Sequence, residues 1–364
     1  MTANYKHFDN TDSCTSMGII KRFFKLPAIA VLAATILCLL MASYGCSSDE
    51  TKTSDGREDF SPVRIGTMPT EDFLPMWAAE KDGYFDQAGV NAELLTFDSA
   101  QALSAAIAAG EVDMAMVDIP RAVKLCESGT PVALEWITLG TDASQGAFGV
   151  MAAADAPYST LKELDEYMSA HDDEWTSGVG VASNTVPEYV FEMLCKEQDI
   201  DPEDLKPQEI ASLPERYSLM ASGNLSAAAL PGSLLRLGEA TGMKVLAEDT
   251  EGVNLSQSVM IATEAFAKEN EGIVMDVAKA WDMAAESINS DPGAYGVLLA
   301  EKANLNESIA QDYPISTYPM AIEDGSLCHP QAELVELQID WMDLKGYISG
   351  NIEYDQANGT FTVQ

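Results

Sequence analysis

From Val63 to Leu230, short apolar runs alternate with stretches of helical pattern, and this alternation leaves few folds open to the chain. Val63-Arg64-Ile65-Gly66-Thr67 reads as a strand. Leu74 to Gly83 follows, with Leu74, Trp77, Ala78 and Lys81 at helical spacing and Gly83 as the stop. Val90 to Phe97 is a second strand, Ala100 to Ala109 an alanine-rich helix closed by Gly110, and Val112 to Val117 a third strand. Strands that alternate with helices pack as a mainly parallel sheet covered by helices. Trp77 lies on a helix face and reads as core.

The order recurs downstream. Gly178 to Ala182 is a strand, and Pro187 to Gln198 a helix that Asn184 or Thr185 can cap. Leu205 to Ile210 is strand-like, Pro214 to Ala221 a helix closed by Gly223, and Ser226 to Leu230 a strand. Ala109 to Asp118 aligns with Ser222 to Pro231, each copy leaving a helix at a glycine and running through small residues into a strand. The expected fold is α/β with two lobes, each a mainly parallel sheet flanked by helices, and a cleft between them. With 364 residues, of which 47% are hydrophobic and 21% charged, the chain suits two globular domains of ~100–200 residues.

The N-terminus carries an address. Residues 26–42 form an uncharged apolar run behind Lys21, Arg22 and Lys25, followed by Ser43-Tyr44-Gly45-Cys46. A basic flank, a short apolar run and small residues mark a secretory signal. The run falls short of the about 20 residues of a comfortable membrane span. Gly45-Cys46 looks like a bacterial lipoprotein cleavage site, although Ser43 stands where that motif usually has Leu. Cleavage there would make Cys46 the lipidated first residue. Residues 1–45 are read as the signal, with translation starting at Met1 or Met17. Residues 46–61 are rich in Ser, Thr, Asp and Glu and read as a tether.

Charge excludes some partners. The net charge is −38, and residues 46–364 alone hold 16 basic and 56 acidic groups. Such a surface repels phosphate backbones, so nucleic acid is not an expected partner. Catalytic groups are scarce. Beyond Cys46 the histidines are His171 and His329 and the cysteines Cys126, Cys195 and Cys328. They form no CxxC, HExxH or GxSxG pattern and no Walker-type loop, so neither a metal nor a cofactor is expected. Gly178-Val179-Gly180 opens like a dinucleotide fingerprint, but Ser183 occupies the place of its third glycine.

Arg64-Ile65-Gly66-Thr67, Leu74-Pro75-Met76-Trp77-Ala78-Ala79-Glu80-Lys81-Asp82-Gly83-Tyr84-Phe85 and Ala109-Gly110-Glu111-Val112-Asp113 together carry a resemblance. It is to the nitrate-, sulfonate- and thiamine-precursor-type periplasmic binding proteins of ABC importers. Leu161-Lys162-Glu163-Leu164, Gly180-Val181-Ala182, Met220-Ala221-Ser222-Gly223 and Gly242-Met243-Lys244-Val245-Leu246-Ala247 extend it to the second lobe. The resemblance implies a type II binding-protein fold in which the chain crosses to the second lobe and returns. The first lobe would then hold residues 62–148 and 264–364, the second 149–263, with Gln145–Ala152 and Ser256–Thr263 as crossing strands. It also implies a monomer that carries a small-molecule ligand to a membrane permease. The lipid would hold it on the outer face of the cell membrane. An enzyme resembling thiamine-pyrimidine synthases is the alternative.

In α/β sheets ligands bind beyond the carboxyl ends of the strands, so the candidate ligand residues lie at the strand-to-helix turns. They are Thr70, Glu71 and Asp72 after the first strand, Asp118 and Ile119 after the third, and Thr141 and Asp142 after a later apolar run. In the second lobe they are Ser183, Asn184 and Thr185, whose helix start can hold an acid or carbonyl group, then Pro231 and Gly232. Thr70, Asp72 and Asp118 can equally serve as helix caps. Acids facing the cleft would favour a neutral or cationic ligand over a free anion.

Cleavage and lipidation at Cys46 predict a mature protein whose first residue is a diacylglyceryl cysteine. Mass spectrometry of the native N-terminal peptide checks this, and a free N-terminus at another residue or an intact leader would contradict it.

Overall fold

The computed structural model describes residues 61–141, 148–171, 177–250, 257–305 and 313–364. The leader, Cys46 and almost all of the tether lie outside them, as does Asp142. The chain divides into units 1–58 and 59–364, and everything below concerns the second.

Ten strands build two sheets: β1 Val63–Thr67, β2 Ala92–Thr96, β3 Met114–Asp118, β4 Val132–Leu139, β5 Phe148–Ala152, β6 Val179–Val181, β7 Gln208–Glu209, β8 Ala227–Pro231, β9 Lys244–Glu248 and β10 Ser258–Thr263. The first sheet has the order β2-β1-β3-β10-β4 and the second β7-β6-β8-β5-β9. In the first, β1 pairs parallel with β2 and β3, while β10 runs antiparallel to both β3 and β4. In the second, β6 pairs parallel with β7 and β8, while β5 runs antiparallel to both β8 and β9. Each sheet is thus mainly parallel with one reversed strand, the one that enters from the other lobe. The aligned stretches ending at Asp118 and Pro231 finish the third strand of each sheet, in equivalent places.

The alternation of side chains along a strand fixes the layers. In the first sheet Ile65, Met114, Met116 and Met260 join one core cluster, packed by Trp281 of the helix Glu271–Ser290 and Trp77 of the helix Leu74–Asp82. Ala115, Val117, Val259 and Ile261 face the opposite cluster, with the helix Ile119–Glu127. Both faces are covered, which is why β3 reads as an unbroken apolar run rather than an alternating one. The second sheet repeats the scheme, with Val150, Val179 and Ala229 on one face and Met151, Ala228 and Leu230 on the other.

Two boundaries differ from the sequence reading. Ser256–Thr263 was expected as a crossing strand at the end of the second lobe; its described part, β10, pairs between β3 and β4 and belongs to the first sheet. Its continuous apolar character fits either sheet, and local pattern does not distinguish them. Leu205–Ile210 yields only the two-residue β7, because Pro202–Leu205 forms a 3₁₀ turn and Lys206 turns the chain at φ 50°.

The C-terminal segment returns along β4. Leu134 donates its N–H to Gly359 O at 2.7 Å, tying the hairpin Ile352–Asp355/Thr360–Val363 to that strand. The preceding helix Ala332–Leu344 reaches the second lobe: Trp341 Nε1 donates to Glu192 Oε2 at 2.9 Å, and Tyr347 OH to Glu188 Oε1 at 2.5 Å. Lys345 pairs with Glu192 and lies 3.7 Å from Glu188. Both glutamates belong to the helix Val186–Glu197, so the terminal segment clasps the second lobe to the first.

Gly359 has φ 66°, and a Cβ there would stand 2.3 Å from Leu134 O. Gly359→Val should therefore lose about 1–3 kcal/mol of stability. Urea unfolding followed by tryptophan fluorescence reads this as a lower midpoint, and an unchanged midpoint would contradict the docking described.

Candidate functional site: the interlobe cleft

The carboxyl ends of the strands in both sheets meet at a cleft, where small-molecule sites of α/β sheets lie. Its apolar lining includes Met68, Met116, Leu139, Phe148 and Leu213. Of the turn residues singled out from sequence, Thr70, Glu71, Asp72, Asp118, Thr185, Pro231 and Gly232 line it. Ile119 instead points into the core on the far face of the first sheet. Ser183 bonds Glu209 through its N–H at 2.7 Å and through its hydroxyl, which holds it away from the cleft. Asn184 takes the left-handed conformation at φ 59° and gives its N–H to Glu188 Oε2 at 2.7 Å, while its buried Oδ1 has no hydrogen-bond partner among the described residues. Ser183, Asn184 and the exposed Thr141 are all absent from the lining.

The three acids at the cleft have different tasks. Glu71 is held on both oxygens, by Tyr313 OH at 2.5 Å and Ser316 N at 3.0 Å, and Tyr318 OH donates to its carbonyl at 2.9 Å. Burial pushes its carboxyl up, and those hydrogen bonds oppose the shift. Glu71 therefore fastens the 70–72 turn to the 313–318 segment. Asp118 caps its own lobe's helix by accepting from Arg121 N at 2.8 Å, and its other oxygen accepts from Val186 N of the second lobe at 3.0 Å. Burial raises its carboxyl as well, against the opposing pull of Arg121. Arg121 also donates to Ser183 O at 3.3 Å, so the two lobes stand in contact across the cleft.

Asp72 is the least satisfied of the three. It is 8% exposed, and no well-formed hydrogen bond reaches its Oδ1. Burial raises its carboxyl; the facing hydroxyls of Thr70 and Ser258 offset this in part, and Asp118 adds to it. Thr70 begins the 3₁₀ turn but makes no side-chain cap, and its Oγ1 is also without a partner. The capping reading thus holds for Asp118 and fails for Thr70. In the second lobe, Thr185 starts the helix and spends its hydroxyl on Ala182 O at 2.6 Å.

Among the lining residues that were not sequence candidates are Arg216 and Gln257. Arg216 is 3% exposed, donates Nη1 to Ile210 O at 2.8 Å and has an unpartnered Nε. Desolvation lowers its guanidinium to about 10, so it is still a cation at neutral pH. A signal existed: Leu213, Arg216 and Met220 share the buried stripe of their helix, where a lone cation is out of place. Gln257, 5% exposed and with an Oε1 that has no partner among the described residues, falls within the expected crossing strand Ser256–Thr263, where it was not weighed as a ligand contact.

The histidines and cysteines among the described residues are absent from the lining. His329 Nδ1 is 2.7 Å from Leu134 O, and His171 stacks on Tyr167 with Nδ1 2.8 Å from its carbonyl. Cys126, Cys195 and Cys328 are free thiols, and burial pushes the first two up to about 11 and about 12. Among the described residues, no group of three or more His, Cys, Asp or Glu could hold a metal ion.

Comparison with known proteins places this geometry. A protein of Brachyspira hyodysenteriae named as an ABC transporter periplasmic binding protein is 22% identical over 264 residues, 71% of this chain and 74% of that one. The fold is similar to the alkanesulfonate-binding protein SsuA of Xanthomonas axonopodis pv. citri bound to MOPS, with a TM-score of 0.65 and 14% identity over 80% of this chain and 94% of that one. It is also similar to the nitrate-binding protein NrtA of Synechocystis PCC 6803, with a TM-score of 0.64 and 10% identity over 80% and 83%. The two-lobed α/β architecture is that of type II periplasmic binding proteins. The model of the NMT1-like family matches residues 56–298, more than half of the sequence, and the chain belongs to that family.

Proposed function

We propose that this chain is the extracytoplasmic solute-binding component of an ABC importer, anchored by lipid on Cys46, which takes up a small molecule between its lobes and presents it to a membrane permease. The observation that carries this reading is the cleft itself. It lies at the carboxyl ends of both sheets, is lined by apolar side chains, and holds buried polar atoms that nothing in the described protein satisfies. Leaving such atoms unmade costs about 1–3 kcal/mol each, which a bound solute can recover. The leader ending at Gly45-Cys46 and the name of the Brachyspira relative support the location and the partner.

Binding and closure are linked by the contacts that cross the cleft. Asp118 to Val186 and Arg121 to Ser183 form only when the lobes meet. A solute touching both walls stabilises that closed form over an open one and shifts the hinge equilibrium toward it. The closed surface is what a permease would read. Among the described residues neither a histidine nor a cysteine lines the cleft, so the enzyme alternative would have to draw on its acids and hydroxyls.

Native mass spectrometry should show one small molecule per protein, recovered chemically unchanged after prolonged incubation. Saturating the protein with that compound at about 100 times its Kd should add about 2.7 kcal/mol of stability, read as a higher melting temperature. Conversion of the compound by substoichiometric protein would instead establish an enzyme.

A further inference from the structure

Four buried polar atoms of residues that line the cleft have no hydrogen-bond partner among the described residues: Thr70 Oγ1, Asp72 Oδ1 and Gln257 Oε1 from the first lobe, and Arg216 Nε from the second. Each of these residues is at least nine-tenths buried, with exposures of 7%, 8%, 5% and 3%. Thr70 and Asp72 share a turn, and Gln257 adjoins Ser258, whose hydroxyl faces Asp72 and accepts from Thr138 Oγ1 at 2.9 Å. The first-lobe wall therefore offers oxygens, one of them on a carboxylate. The opposite wall offers a cationic donor, and Met68, Met116, Leu139 and Leu213 supply apolar lining.

From this arrangement we infer that the cleft takes a small zwitterion, with a primary ammonium held by Thr70, Asp72 and Gln257 and a carboxylate or sulfonate held by Arg216. The inference rests on the solute-binding reading above and specifies its ligand. An ammonium carries three N–H donors and no acceptor, which matches three vacant acceptor oxygens. Its charge supplies what the buried Asp72 lacks, since a carboxylate out of water is tolerated only when paired. Arg216 presents the reverse case, a buried guanidinium that feels the charge of Glu209 but whose Nε–H has no acceptor among the described residues, which an anion in the cleft would supply. A free anion alone would leave Asp72 unpaired and face its field. A free amine alone would leave Arg216 so.

The test uses the full mature chain freed of bound compound. The probes are straight-chain ω-amino carboxylates and ω-amino sulfonates of increasing length, each beside its N-acetyl derivative, the matching alkylamine and the matching simple acid. Calorimetry should find a zwitterion that binds about tenfold or more tightly than its three truncated or blocked counterparts. Thr70→Val and Asp72→Asn should each weaken that zwitterion without weakening the simple acid, which Asp72→Asn relieves of a repelling charge, and Arg216→Gln should weaken the zwitterion without weakening the alkylamine. Melting curves of the ligand-free variants identify any that fail to fold, and the remaining variants then carry the test. In parallel, the compound released from natively purified protein is treated with an amine-specific acylating reagent, and uptake of the label is the expected result. A simple acid that binds as well as the zwitterion, or a released compound that refuses the label, overturns the zwitterion inference while solute binding stands. Silence from the whole series, together with no released compound, overturns both.

Discussion

One carboxylate sits at the junction on which the molecule's working shape depends. Asp118 ends β3, the third strand of the first sheet, and its two oxygens serve two helix starts in different lobes. Both helix N-termini present unsatisfied N–H groups and positive dipole ends, and a buried carboxylate between them answers both. Because one oxygen belongs to the first lobe and one to the second, the cap is complete only when the lobes meet. The cleft thus contains a polar group that favours closure, and the cost of its burial is offset in part by Arg121 and the two N–H groups. The terminal clasp adds a second tie to the same second-lobe helix, through Glu188 in its first turn and Glu192 near its middle.

The acidity of the chain takes on a different meaning at the site. A net charge of −38 is spread over the surface and says little about recognition. Inside the cleft the acids are few and individually accounted for. Glu71 is consumed by Tyr313 and Ser316, Asp118 by two main-chain N–H groups, and Asp72 alone keeps an oxygen free of partners. Counting acids along the sequence would overstate the negative field at the cleft, which also holds the buried Arg216.

Much of the architecture was legible because it is written in short-range pattern. The two series of apolar runs and glycine stops, such as Gly110 and Gly223, mark the same third strand in each sheet. The cleft turns at 70–72, 118, 185 and 231–232 followed from the rule that ligands sit beyond strand ends. What failed was long-range or fine-grained. The lobe to which Ser258–Thr263 belongs is decided by pairing across more than a hundred residues, and its apolar run suits either sheet. Ser183 and Asn184 lie within two residues of the cleft yet miss it, because a left-handed turn and bonds to Glu209 and Glu188 rotate them away. Arg216 and Gln257 reach the cleft from segments outside the strand-end turns, so a search confined to those turns passes them by.

The account's central claim is that a solute is held between the lobes, touching the 70–72 turn on one side and Arg216 on the other. A crystal structure of the protein purified with its native compound tests this most directly. The account predicts a single small molecule enclosed in the cleft, in hydrogen-bond contact with Asp72 and Arg216 and with the Asp118 to Val186 bond in place. A compound bound to one lobe alone, or seated outside the cleft, would contradict it.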